Sequence, residues 1–357
     1  MRMRFILLAA ALVAAGGLAI PCAAQERKAE PGAKSELAAV PVTVENFARA
    51  ETHKYFTSRV EQGGFGKQFH MRVPMPIEHQ PVIRGNRDTL YSPGVFDLDA
   101  GPVTVTLPEH GSRYMSLIVI DEDEHCGPLF YEARKPYTFT RQQVGTRYAM
   151  IAARTFFDPR EEKDLEEARR LQDAIKIEQP GGPGKFEVPH WDAKGRDELR
   201  DALITLGRTV PDSRRMFGPR DKAYPVRFLI GSAIAWGGNT EKDALYLNRY
   251  PAANDGKTAH RLVVKDVPVD AFWSVSVYGP DGYFHENEHR AYSVNNLSAN
   301  KQADGSVVIQ FGGDAAPAAD VNHLPVVPGW NYLVRLYRPR QEVLDGTWKF
   351  PEAQLVK

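Results

Sequence analysis

Cysteine is almost missing from this chain: Cys22 and Cys126 are the only two in 357 residues. No disulfide framework supports the fold, which must rest on an apolar core. An excess of either charge is missing too. Lysine and arginine together number 45, aspartate and glutamate 45, and the formal net charge is zero. That balance argues against a nucleic-acid partner, whose binding rests on a basic footprint. Long apolar runs are scarce. Phe5 to Ile20 is short for the roughly 18 to 20 residues of a membrane span, and nothing later in the chain approaches that length. Nucleotide-binding glycine loops and a G-x-S-x-G elbow are lacking, which leaves nucleotide cofactors and a standard serine hydrolase unsupported.

What is present starts with export. Arg2 and Arg4 precede the apolar run, and Pro21-Cys22-Ala23-Ala24 follows it. A positive segment, an apolar segment and small residues describe a signal peptide over 1–24, cleaved near Ala24, and a periplasmic or secreted mature protein. Pro21 disfavours a lipid on Cys22. Cleavage removes two arginines, which leaves the mature chain slightly acidic, without a membrane span, and with Cys126 lacking an intrachain partner. Residues 25–42 are charged and helix-breaking and read as a flexible leader. The remainder suffices for about two domains.

The stretch from Ile83 to Cys126 organises the rest. Val103, Val105 and Leu107 alternate with Thr104 and Thr106, the period of a half-buried strand, and Tyr114 to Ile120 is apolar enough for a strand buried on both faces. Further strands are expected at 137–140, 148–153, 261–265, 272–278, 306–311, 332–337 and 346–350. Helices are expected from Thr43, as cap, through Arg59, after Asp158-Pro159, over 195–207 with Leu199, Leu203 and Leu206 inward, and over 226–236. The fold class is mainly β with a helical connector: a β-rich domain over 43–179, the connector over 180–246, and a second β-rich domain over 247–357. Met115-Ser116-Leu117 aligns with Trp273-Ser274-Val275, a short hint of internal duplication.

RGNRDTLYS, GPVTVTLP and RYMSLIVIDED, within 44–179, resemble domain of unknown function 1254. FWSVSVY, DGYF, AYSVNN, ADGSVVIQFGG, LPVVPGWNYLVRLYRPR and LDGTW, within 247–351, are similar to its usual partner, domain of unknown function 1214. The resemblance implies two β-sandwich-like domains facing a shared cavity. It implies no activity.

Four groups could carry chemistry. Asn86, Arg87 and Asp88 with Tyr91 offer a guanidinium fork for a carboxylate or phosphate, oriented by Asp88 or Asp97, or else a structural pair. If the strand continues past Ile120, alternation puts Asp121, Asp123 and His125 on one face, where they could hold a divalent cation or exchange protons; a solvated acidic loop is the plain alternative. Tyr278, Tyr283, Arg290, Tyr292 and Asn295 suit a small organic anion or an interdomain packing surface. His285-Glu286-Asn287-Glu288-His289 spells the zinc-protease pattern, but Pro280 and Gly282 deny it the helix that pattern needs. No cofactor is identified beyond that divalent metal.

The leading expectation is an exported protein that holds a small polar or anionic organic ligand, its small-molecule partner, between two β domains. The alternatives are a metal-assisted or carboxylate-driven hydrolase or lyase in the same cavity, and a structural envelope protein. Oligomeric state is left open.

Overall fold

The computed structural model describes residues 38–313, 319 and 321–356. The expected signal peptide, its cleavage near Ala24 and most of the leader lie outside the described residues. In chain order the first elements are α1 (Phe47–Glu61), β1 (Thr89–Asp97), β2 (Val103–Thr106), β3 (Met115–Asp121), β4 (Pro136–Phe139), α2 (Arg141–Val144) and β5 (Tyr148–Phe156). After them come α3 (Glu162–Asp173), β6 (Lys176–Glu178), α4 (Ala193–Gly207) and α5 (Pro225–Ile234). The chain then returns to strands: β7 (Ala244–Arg249), β8 (His260–Val264), β9 (Trp273–Tyr278), β10 (Ser293–Asn295), β11 (Val307–Phe311), β12 (Asn322–Leu324) and β13 (Asn331–Tyr337). Helix α6 (Gln341–Leu344) and β14 (Gln354–Leu355) complete it.

The strands make two sandwiches. In the first, sheet β1-β5-β3 faces sheet β4-β2-β6. The alternation of β2 turns Val103 and Val105 inward onto Leu117, Ile151 and Ala153 of the facing sheet. In the second, sheet β10-β9-β13-β7 faces sheet β12-β11-β8-β14. There Trp273, Val275, Val334 and Leu336 meet Leu262, Ile309 and Phe311, all buried. Each such side chain contributes about 1.5–3 kcal/mol by leaving water.

The two sandwiches share one wiring diagram. The inner sheet of the first places its strands β1-β5-β3, and that of the second places β7-β13-β9, with β10 added at the edge. The outer sheets run β4-β2-β6 and β11-β8-β14, with β12 added. All these shared neighbours pair antiparallel. Each outer sheet closes with a strand that follows a helix, α3 before β6 and α6 before β14. Ser116 on β3 and Ser274 on β9 occupy matching strands, so the short sequence match between them has a structural counterpart.

Strand β1 is an edge strand and tolerates Pro93 for that reason. The irregular segment before it lies along the free edge. Amides of Gly66, Phe69 and Met71 donate to the carbonyls of Val95, Pro93 and Tyr91 at 2.9, 2.8 and 2.8 Å, and Val95 donates back to Gly64. Gly94 permits this approach, since a Cβ there would lie 2.5 Å from the Lys67 carbonyl oxygen.

Several boundaries differ from the sequence reading. Thr43 does not cap α1: its amide donates to Asn46 Oδ1, a turn follows, and the helix starts at Phe47 with Val44 left exposed. Asp158 does not cap α3, which starts at Glu162. Its amide instead donates to Asp164 inside that helix. Leu206 points to solvent at 53% exposure, because α4 buries only Leu203 and Gly207. Residues 346–350 form no strand; α6 ends at Leu344 and a turn held by Asp345 follows it. The buried face of α1 is largely polar, which hid it from an apolar-stripe reading: Glu51 meets Arg196 and Arg200 of α4, Thr52 accepts from Trp236, and His53 meets Glu122.

Candidate functional site

The two inner sheets turn their second faces toward each other, and those faces are polar. On β9 the core side carries Trp273, Val275 and Val277, while Ser274, Ser276 and Tyr278 alternate onto the other side. On β5, Arg154 falls on the side of Met150 and Ala152; on β13, Arg335 falls between Leu333 and Tyr337. A cavity of about 180 Å³ lies here, walled by both sandwiches, by α5 and by the segment 81–86. Its lining is mostly apolar, with Ile118, Ile120, Met150, Met216, Phe217 and Ile234 among it. Four arginines line it as well, Arg59, Arg84, Arg154 and Arg335, and the lining includes no carboxylate and no imidazole.

Each inner sheet crosses the site with the same rung. Arg154 pairs in register with Tyr91 on one side and Ser116 on the other. Arg335 pairs with Tyr246 on one side and Ser274 on the other. Their surroundings differ. Arg335 donates to the carbonyls of Arg84 and Gly85 at 2.8 Å each, to Tyr278 at 2.7 Å and to Ser276 at 2.8 Å. Arg154 donates to the Gly237 carbonyl at 2.7 Å and lies over the Tyr91 ring, yet its Nε has no partner and no carboxylate lies in ion-pair range among the described residues.

Asn86 joins the two rungs. Its amide donates to Thr89, to Tyr91 and to Tyr337 at 3.1, 3.1 and 3.2 Å, and its Oδ1 accepts from the Asp88 backbone. Arg84 has a positive φ of 52°, donates to the Tyr250 hydroxyl at 2.6 Å and leaves Nη1 unpartnered. Burial lowers its affinity for a proton.

Asn86 and Tyr91 are the sequence candidates that line the cavity; the others stand apart from it. Arg87 pairs with neither Asp88 nor Asp97. It donates to the Met75 carbonyl and rests on the Tyr292 ring, while Asp97 is bound by Arg147 at 2.8 Å. Asp88 is buried behind the wall, where Asn295 donates to it at 3.4 Å; burial pushes its carboxyl up, and Arg335 opposes that shift. Tyr278 and Tyr292 pack with Phe284 in an aromatic cluster, Tyr283 is half-buried, and Arg290 is exposed at a positive φ of 49°.

The acidic run is not one face of a strand. Strand β3 ends at Asp121, whose Oδ1 accepts the backbone amides of Asp123 and His125 at 2.9 and 2.8 Å, closing a turn. Burial would raise Asp123, but Arg49 and Arg220 at 2.6 and 2.7 Å outweigh it and hold the carboxyl below its usual value. Burial, then Arg220, lowers His125, which stacks on Phe228. Burial raises Asp121 to about 6. Among the described residues no group of three or more His, Cys, Asp and Glu is placed to hold a metal ion. His285 and His289 lie in a loop outside any helix.

Two features escaped the sequence reading. Arg154 and Arg335 stand inside the apolar strands YAMIAARTF and NYLVRLY, and a charge in such a strand is itself a signal. Glu124, at a positive φ of 68°, is 2% exposed and accepts from the Gly237 amide at 3.1 Å; burial pushes its carboxyl up to about 8. Gly237 therefore touches Glu124 through its N–H and Arg154 through its carbonyl. Cys126 is a buried free thiol that burial raises to about 12, which makes it inert.

No helix among the described residues is long and apolar enough to cross a membrane. Comparison with curated proteins gives no match. Two solved structures resemble the chain in fold. The VPA0106 protein from Vibrio parahaemolyticus is 19% identical, with a TM-score of 0.66 over 88% of this chain and 98% of its own. An uncharacterized protein from Burkholderia cenocepacia is 15% identical, with a TM-score of 0.53 over 88% of each chain. Residues 66–126 match the family described as protein of unknown function (DUF1254), and residues 244–341 match the one described as protein of unknown function (DUF1214). The two matches fall in the order the motifs suggested, DUF1254 toward the N-terminus and DUF1214 toward the C-terminus.

Proposed function

We propose that this protein binds a small organic anion in the cavity between its two sandwiches. One observation carries the reading: four arginines and no carboxylate line a mostly apolar cavity. A buried cation without a counter-ion is costly, and an anionic ligand removes that cost. The carboxylate-driven hydrolase or lyase finds no carboxylate and no imidazole in this lining. Binding outside the cytoplasm follows from the signal peptide expected over 1–24, and an intact mass beginning near Gln25 is its check.

A thermal-shift panel of organic carboxylates, phosphates, amines and neutral sugars tests the reading. Anions should raise the melting temperature, in line with about 2.7 kcal/mol at a hundredfold excess over Kd, and amines should not. Ala152→Leu, which fills part of the cavity, should weaken that response. A panel in which no anion binds, or binding indifferent to Ala152→Leu, would remove the cavity as the site.

A further inference from the structure

The paired rungs say what kind of anion fits. Arg335 shows a satisfied rung: two carbonyl oxygens of the chain itself, from Arg84 and Gly85, sit on one guanidinium nitrogen, with the Tyr278 hydroxyl beside them. Arg154 occupies the matching position in the other repeat, 7% exposed and lining the cavity, with Nε unpartnered. No loop supplies it with a pair of oxygens. We infer that the cavity takes a monocarboxylate with a compact apolar body, and that Arg154 grips its two oxygens in place of the carbonyls that Arg335 holds. This rests on the anion-binding reading above.

Charge, size and shape narrow the class. Arg335 is engaged by four acceptors, Arg84 lies near the rings of Tyr250 and Tyr278, and Arg59 leans on Phe69 and Gln62. Arg154, on the rung that no pair of chain carbonyls meets, is the guanidinium placed to take one carboxylate. A phosphate has no apolar body to set against the apolar walls, and its remaining oxygens would lie against them without hydrogen-bond partners. A cavity of about 180 Å³ compares with the roughly 150 Å³ that accommodates benzene, so a ligand of about six to ten heavy atoms fits. Ile118, Ile120, Met150 and Ile234 offer the body a surface without hydrogen-bonding demands. Around the head, Tyr91 and Tyr246 supply hydroxyls that can donate to the same oxygens.

Calorimetry with benzoate and heptanoate, against benzyl alcohol, benzylamine and inorganic phosphate, tests this on wild type, Arg154→Gln and Arg154→Lys. The carboxylates should bind at least tenfold tighter than the other three probes. Arg154→Gln should weaken benzoate by roughly ten- to a hundredfold, while lowering the melting temperature of the unliganded protein far less than Arg335→Ala does. Arg154→Lys keeps the charge but not the fork and should lose about tenfold; it carries the test alone if Arg154→Gln does not fold. Benzoate binding unchanged in either variant overturns the inference while leaving the cavity reading intact. So does phosphate binding as tightly as benzoate. If none of the anions binds wild type, the anion reading falls with it.

Discussion

Tyr91-Arg154-Ser116 and Tyr246-Arg335-Ser274 are the same rung laid across two sheets of the same wiring, and they have come to different ends. In the C-terminal sandwich the arginine is a fastener. It ties β13 to the segment 84–85 and to β9, and every contact it makes is internal. In the N-terminal sandwich the arginine donates to the carbonyl of Gly237, lies against Tyr91 and Tyr246, and lines the cavity. On the proposed reading, one copy of the rung serves as structure while the other stays open for a ligand. The difference lies in a few atoms of an irregular loop.

The strongest way to break this comparison is to remove the fastener. Arg335→Ala removes a donor from two carbonyls and two hydroxyls, of which the Gly85 carbonyl keeps Tyr278, and should destabilise the unliganded protein by about 3–5 kcal/mol in urea unfolding. Arg154→Gln should cost far less, or raise stability. Equal losses from the two would end the distinction between them.

A proton titration sharpens it next. Glu124 sits on the other side of Gly237 from Arg154, and its carboxyl is raised to about 8 in the folded protein. The folded state therefore holds a proton that the unfolded chain releases near its ordinary value of about 4.3. Stability is full below that value and falls as pH rises through about 8, by a few kcal/mol in total. Glu124→Gln should flatten this decline. A wild-type melting temperature that rises between pH 5 and 8, or a decline unchanged in Glu124→Gln, would contradict the assignment.

Smaller effects come from residues outside the rungs. Arg87 holds one carbonyl and one aromatic face, so Arg87→Ala should cost about 1–2 kcal/mol and leave carboxylate binding unaltered. A loss of several kcal/mol would mean that Arg87 is paired with a buried acid after all. Exposed Arg160 pairs with half-buried Asp158 beside α3, and Arg160→Ala should change stability by less than about 1 kcal/mol.

Much of this was legible in the residues. Alternation in Val103–Leu107 and in FWSVSVY placed strands correctly, because one side of each had to be apolar. The same alternation put serines and arginines on the opposite side of β9, β5 and β13, yet it could not tell a buried polar interface from a solvated one. Nor could it separate Arg154 from Arg335, since their fates depend on carbonyls from distant segments. Asp121 to His125 misled for a related reason: strand periodicity says nothing about where a turn begins, and Asp121 closes that turn with its own carboxylate. Helix starts slipped by three or four residues where the capping signal was a plausible side chain that the fold used elsewhere.

The strip from Gly64 to Met71 has a kinetic consequence. It zips the outer edge of β1 with hydrogen bonds from Gly66, Phe69 and Met71, and Met71 is also part of the cavity wall. Peeling it back would open the cavity and bare a strand edge in one motion. These three amides, together with that of Val95, should then exchange with deuterium as a single cooperative group, and slow together when the cavity is filled.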